Sequence, residues 1–128
     1  MIKLFYDQDI DYLEIFFKKA PNYGEDIKKG ITVFKSETND KVIGYGFYNP
    51  LKIIIRTPLL VPKIKIAILC YIQRKSLGLT EKELAAKIGM SYRTYQRIEE
   101  GSISKIDDLI KISDFIADID LTQLLKVS

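Results

Sequence analysis

Histidine is absent from this 128-residue sequence, and cysteine occurs once, at Cys70. Those two shortages exclude a histidine- or cysteine-built zinc site, imidazole acid–base catalysis and Cys/His nucleophile pairs. A single thiol within an apolar helical stretch forms no internal disulfide, so Cys70 reads as a small core residue in a reducing, cytoplasmic setting. No Gly-rich phosphate loop is present. The longest apolar runs, Ile53 to Ile55 and Pro58 to Pro62, are far too short to span a membrane. Met1 to Tyr6 runs straight into acids rather than into the apolar core of a signal peptide. Asp7, Asp9 and Asp11 alternate as calcium ligands do, but an EF-hand needs a glycine and a closing glutamate where this chain has Tyr12 and Lys18. Acids so placed are turn residues. The expectation is no catalytic residue, no metal and no cofactor, hence not an enzyme.

The residues that are present divide into two halves. The hydrophobic fraction of 47% suffices for one ordinary domain or two small ones. Residues 1–49 alternate like short strands: Ile2 to Tyr6, Tyr12 to Phe17, Gly30 to Lys35 and Lys41 to Tyr48, with an irregular stretch through Pro21, Asn22 and Gly24. The short links predict an antiparallel meander. Both faces of several strands are apolar, Tyr12 and Phe16 opposing Leu13, Ile15 and Phe17. One face therefore needs a cover: a second copy, a partner protein, the helical half, or Leu51 to Arg56 as a further strand. Prolines at 50, 58 and 62 make residues 50–61 a stiff connector that packs on a surface.

From residue 62 to the end the pattern is helical. Thr80 with Glu83 is a capping box, Leu84, Ala85 and Ile88 share a face, Gly89 ends that helix, and Met90 plugs the corner. Ser91 caps a second helix from Tyr92 to Glu100, stopped by Gly101, in which Tyr95 and Ile98 face inward while Tyr92, Arg93, Gln96 and Arg97 face out. Pro62 can open an earlier helix, and Asp120 with Gln123 can cap a later one. The fold class is α+β, an N-terminal antiparallel β-meander followed by a helical domain. From Lys63 to Arg97 eight basic residues stand against Glu81 and Glu83, about +6, whereas Ile98 to Ser128 carries three basic and seven acidic residues, about −4. One electropositive end suits a phosphate backbone.

The string Leu79-Thr80-x-x-Glu83-Leu84-Ala85-x-x-Ile88-Gly89-Met90-Ser91-x-x-Thr94-x-x-Arg97-Ile98-Glu99-x-Gly101 resembles the phage-repressor/Cro-type helix-turn-helix family. The resemblance covers about half the chain, from Pro62 on, and implies an all-α five-helix domain, with a helix before the motif, Lys63 to Lys75, and two after it, about Ile106 to Ala117 and Leu121 to Leu125. It implies base reading by Tyr92, Arg93 and Gln96, and backbone contacts from Lys82, Lys87, Ser91, Thr94 and Arg97. Chemistry agrees, since Arg can bond guanine O6 and N7 twice and Gln can do the same with adenine N6 and N7. It also implies a structural pair between Glu99 and Arg74. Two departures lower the expected affinity: Glu81 stands where the family usually places a phosphate-binding glutamine, and the loop Ser102 to Lys105 is about one residue short. The phosphate grip would then lean on Lys63, Lys65, Lys75, Lys82 and Lys87.

Tyr6-Asp7-x-Asp9-x-Asp11-x-Leu13-x-Ile15, Glu25 to Val33 through Gly30-Ile31, and Val42-x-Gly44 resemble a small bacterial β-domain family of uncharacterised function. Joined to a Cro-type module, this arrangement is similar to the antitoxins of toxin-antitoxin pairs. The whole-chain expectation is a sequence-specific, autorepressing antitoxin that acts on a double-stranded DNA operator as a homodimer, with a protein toxin as partner and no membrane. Two alternatives stay open: a stand-alone or phage-type repressor with a ligand-sensing β-domain, and a protein-interaction module with a degenerate helix-turn-helix.

Overall fold

Five strands build the N-terminal part of the computed structural model, which describes residues 2–103 and 105–116. They are β1 (Lys3–Asp7), β2 (Tyr12–Phe16), β3 (Asn22–Lys28), β4 (Ile31–Ser36) and β5 (Val42–Tyr48), in one antiparallel sheet ordered β1-β2-β5-β4-β3. This is not the expected meander. The β1–β2 hairpin and the β3–β4–β5 run join because β2 pairs with β5, setting Leu13 against Phe47 and Ile15 against Tyr45. The reason is burial: Leu13, Ile15, Ile31, Val33 and Phe47 lie on one face and are all buried. Strand β3 occupies the stretch expected to be irregular. All seven of its residues are exposed, so no alternation marks it in sequence, and it is held by the β4 ladder and by Glu25 accepting from Lys35 at 2.8 Å.

Aromatic rings line the opposite face. Tyr12 lies 4.7 Å from Tyr48 and Phe16 lies 5.0 Å from Phe34, measured between ring centroids. These rings cross backbone that carries no side chain: a Cβ on Gly44 would stand 2.5 Å from the Ile15 carbonyl oxygen and 2.8 Å from the Phe16 ring. At the β1–β2 turn, Asp7 Oδ1 accepts from the Asp9 N–H at 3.0 Å and Asp11 accepts from the Tyr6 hydroxyl at 2.5 Å. The alternating aspartates therefore serve turn geometry.

The chain divides into two units, Met1–Ile53 and Ile54–Ser128. The segment considered as a further strand is instead a short helix, α1 (Pro50–Ile54). Asn49 turns the chain at φ 51° and accepts from the Lys52 N–H at 3.0 Å, while proline at the first helical position loses no hydrogen bond.

The second unit contains α2 (Pro62–Ser76), α3 (Glu81–Lys87), α4 (Tyr92–Glu99) and α5 (Ile106–Phe115). Helix α2 begins at Pro62, as its sequence implied. Helices α2, α3 and α4 end alike, with Gly78, Gly89 and Gly101 at positive φ. In α3, for example, Met90 N–H reaches back to Ala85 O at 2.9 Å and Gly89 N–H to Ala86 O at 3.3 Å. Ile66, Leu69 and Cys70 of α2, Leu84 and Ala85 of α3, Met90 of the turn that follows, Tyr95 and Ile98 of α4, and Ile112 of α5 share one core. The expected last helix, Leu121 to Leu125 with Asp120 and Gln123, and the Ala117 end of the one before it lie outside the described residues. Among the described residues no helix is long and apolar enough to cross a membrane.

Candidate nucleic-acid interface

Local chemistry fixes where α3 and α4 begin. Thr80 accepts from the Glu83 N–H at 3.1 Å and Glu83 accepts from the Thr80 N–H at 3.0 Å, a reciprocal capping box. Those bonds to Thr80 hold the Glu83 carboxyl below its ordinary pKa. Ser91 Oγ accepts from the Thr94 N–H at 3.2 Å and donates to Thr94 Oγ1 at 2.8 Å, so both hydroxyls assigned to DNA backbone contacts already shape the start of α4.

The two faces of α4 then separate by helical geometry. Tyr95, Ile98 and Glu99 are buried, whereas Tyr92, Arg93 and Arg97 are exposed and Gln96 is half-buried. Gln96 Nε2 donates to the Tyr92 hydroxyl at 3.0 Å, which couples two of the expected base readers into one polar surface. The fourfold set of Tyr92, Arg93, Gln96 and Arg97 thus occupies one side of one helix. It offers two guanidinium groups, an amide and a phenol, side chains whose chemistry allows hydrogen bonds to base edges and phosphates.

Behind that helix, Arg74 of α2 and Glu99 of α4 form a buried two-pronged pair, Nε to Oε2 at 2.7 Å and Nη2 to Oε1 at 3.0 Å. Arg74 Nη1 also donates to the Leu79 carbonyl at 2.8 Å. Burial works against the charge of Arg74, yet Glu99 more than offsets it, and the guanidinium pKa lies above its ordinary value. The pair ties α2 and the loop before α3 to α4. Beside it the buried Tyr95 hydroxyl makes no well-formed hydrogen bond among the described residues, and burial, joined by the nearby Glu99 carboxylate, raises its pKa.

A cleft of about 430 Å³ opens among Arg74, Lys75, Thr80, Glu81, Lys82 and Tyr92. Glu81 is half-buried there; burial, and then the Glu99 carboxylate, raise its pKa, while Arg74 pulls the other way. Lys63, Lys75, Lys82 and Lys87 are exposed. Lys65 is not. It is only 5% exposed and donates to the Ile55 carbonyl at 3.1 Å, and burial lowers its pKa, so its place in the expected phosphate grip is corrected to a structural one. Sequence reasoning also missed Lys111 of α5, whose Nζ donates to the Gly89 carbonyl at 2.9 Å and fastens the turn between α3 and α4. No local signal marks a contact between residues so far apart in the chain.

Residues 71–124 match a family model described as helix-turn-helix, a span that starts within α2 and takes in α3, α4 and α5. The match supports a DNA-binding transcription regulator. No curated protein and no solved structure matches the chain.

Proposed function

We propose that the helix-turn-helix half places α4 in the major groove of a two-fold operator, that the chain acts as a homodimer, and that it represses its own transcription. The observation that carries this reading is α4 itself. It is capped at both ends, pinned from behind by Arg74–Glu99, and presents Tyr92, Arg93, Gln96 and Arg97 outward. In this reading Arg93 and Gln96 take base edges, Tyr92 a thymine methyl or a phosphate, and Lys82, Lys87, Ser91, Thr94 and Arg97 the backbone. The sheet unit supplies the second activity, binding and neutralising a toxin encoded beside it, by analogy with two-part antitoxins. Glu81 favours one rival, a module that has lost DNA affinity, because a carboxylate in the cleft at the start of α3 repels phosphate.

Fluorescence anisotropy of the full chain on the DNA upstream of its own gene and on a shuffled duplex, each at two salt concentrations, tests the proposal. Salt-sensitive binding that prefers the native duplex by about a hundredfold is expected. Equal, weak binding to both duplexes refutes operator reading. The antitoxin role fails if the chain neither co-purifies with the product of an adjacent gene nor relieves that product's toxicity.

A further inference from the structure

The two edges of the sheet differ in what they offer to another strand. Edge β3 is blunted: its ladder slips between Asp26 and Lys28, and Glu25 at its centre would face its own copy in a two-fold pairing centred on the strand. Edge β1 has no such break. Its five residues pair regularly with β2, from Lys3 opposite Phe16 to Asp7 opposite Tyr12.

The hydrogen-bond phase of β1 follows from its neighbours. Phe17 N–H donates to Ile43 O at 2.8 Å and Asn49 N–H to Asp11 O at 2.9 Å, so odd-numbered residues of the second strand's run point their backbone groups at β5. Tyr12, Glu14 and Phe16 therefore point theirs at β1, where Asp7, Phe5 and Lys3 answer them. Leu4 and Tyr6 are left with N–H and C=O directed outward, away from the sheet.

We infer that β1 is a homodimer interface, pairing antiparallel with β1 of a second copy about a two-fold axis at Phe5. This rests on the dimeric reading above and names its surface. Leu4 and the second copy's Tyr6 then exchange backbone hydrogen bonds, as do Tyr6 and the second copy's Leu4, four bonds in all by symmetry. Phe5, 55% exposed in the single chain, meets its own copy in a closely spaced pair. Lys3 falls opposite the second copy's Asp7, and Asp7 opposite the second copy's Lys3, so both ends of the interface join opposite charges. Neither Lys3 nor Asp7 has an ion-pair partner among the described residues. The register that satisfies the backbone is also the one that satisfies charge, and it yields a ten-stranded sheet. An interface of one short strand lies at or below the roughly 1,200 Å² of a standard stable complex, so a dissociation constant of about 10 μM is expected.

Sedimentation velocity of the full chain between about 1 and 200 μM tests this with Lys3→Glu, Asp7→Lys, Leu4→Pro and an equimolar mixture of the first two. Each charge reversal faces like charge at both ends and should weaken self-association at least about tenfold. The mixture should dimerise again, because the Lys3→Glu chain then meets the Asp7→Lys chain with opposite charges at both ends. The mixture also controls for the Asp9 turn bond that Asp7→Lys removes. Leu4→Pro deletes an outward N–H without touching the β1–β2 ladder, so it should abolish the dimer while the circular dichroism and melting temperature of the chain hold. A wild-type dimer indifferent to all three substitutions overturns the β1 surface alone. A wild-type monomer throughout the range overturns the homodimer as well, while specific operator binding measured in parallel would leave the DNA-reading helix standing.

Discussion

Removing either member of the Arg74–Glu99 pair should destabilise the helical unit severely, and removing both should not. The pair is buried and two-pronged, at 2.7 and 3.0 Å, and Arg74 further holds Leu79 O. Breaking a buried pair strands the surviving charge, which costs about 3–5 kcal/mol, whereas apolar replacement of both members is often neutral. A unit running from Ile54 to Ser128 has about 4–11 kcal/mol of stability at typical values per residue, so Arg74→Met or Glu99→Leu alone should remove from about a quarter of it to all of it. Arg74→Met with Glu99→Leu should lie within about 1–2 kcal/mol of the wild type, a coupling of at least about 4 kcal/mol. Urea denaturation followed by helical circular dichroism reads all four species. Single substitutions costing under about 1 kcal/mol, or a double variant no better than the sum of the two, would refute the stranded-charge reasoning.

Three further outcomes follow from the same structure. Arg93→Ala or Gln96→Ala should cost about 1–3 kcal/mol on the operator and relax base choice at one position, whereas Lys82→Ala should weaken all duplexes alike; equal losses on specific and random DNA for all three would remove α4 as the reading helix. Glu81→Gln should tighten DNA binding by about three- to tenfold at low salt, checked by anisotropy. Because burial raises the Glu81 pKa, its carboxylate opposes folding once pH passes that value, so the same substitution should stabilise the chain at neutral pH and lose the advantage in acid; thermal melts across pH 4–7 decide it. Gly44→Ala should destabilise the sheet unit by about 1–3 kcal/mol, since the new Cβ meets the fixed Ile15 carbonyl; an unchanged melting temperature would contradict that contact.

Legibility in the sequence followed distance along the chain. The ends of α3 and α4 were readable because each cap spans only a few residues: Thr80 with Glu83, Ser91 with Thr94, and glycine with the last carbonyls. The inward set of Tyr95 and Ile98, and the outward set of Tyr92, Arg93 and Arg97, follow from the helical period alone. Even the Arg74–Glu99 pair was anticipated, through family resemblance rather than spacing.

Long-range pairing decided the rest. Strand β3 has no apolar alternation and becomes a strand only because β4 offers it a ladder; β2 lies beside β5 because Leu13 and Ile15 meet Phe47 and Tyr45 there. Lys65 sits in a strongly basic segment and looks free to meet phosphate, yet its amine is withdrawn to the Ile55 carbonyl; Lys111, in an acidic segment, closes the turn at Gly89. The sequence by itself determined which residues begin, end and face outward on α4, since those choices are made by hydrogen bonds within a turn or two. Only the tertiary structure decided which strand became an edge and which lysines stayed free, since those depend on backbone and side-chain partners brought together by packing.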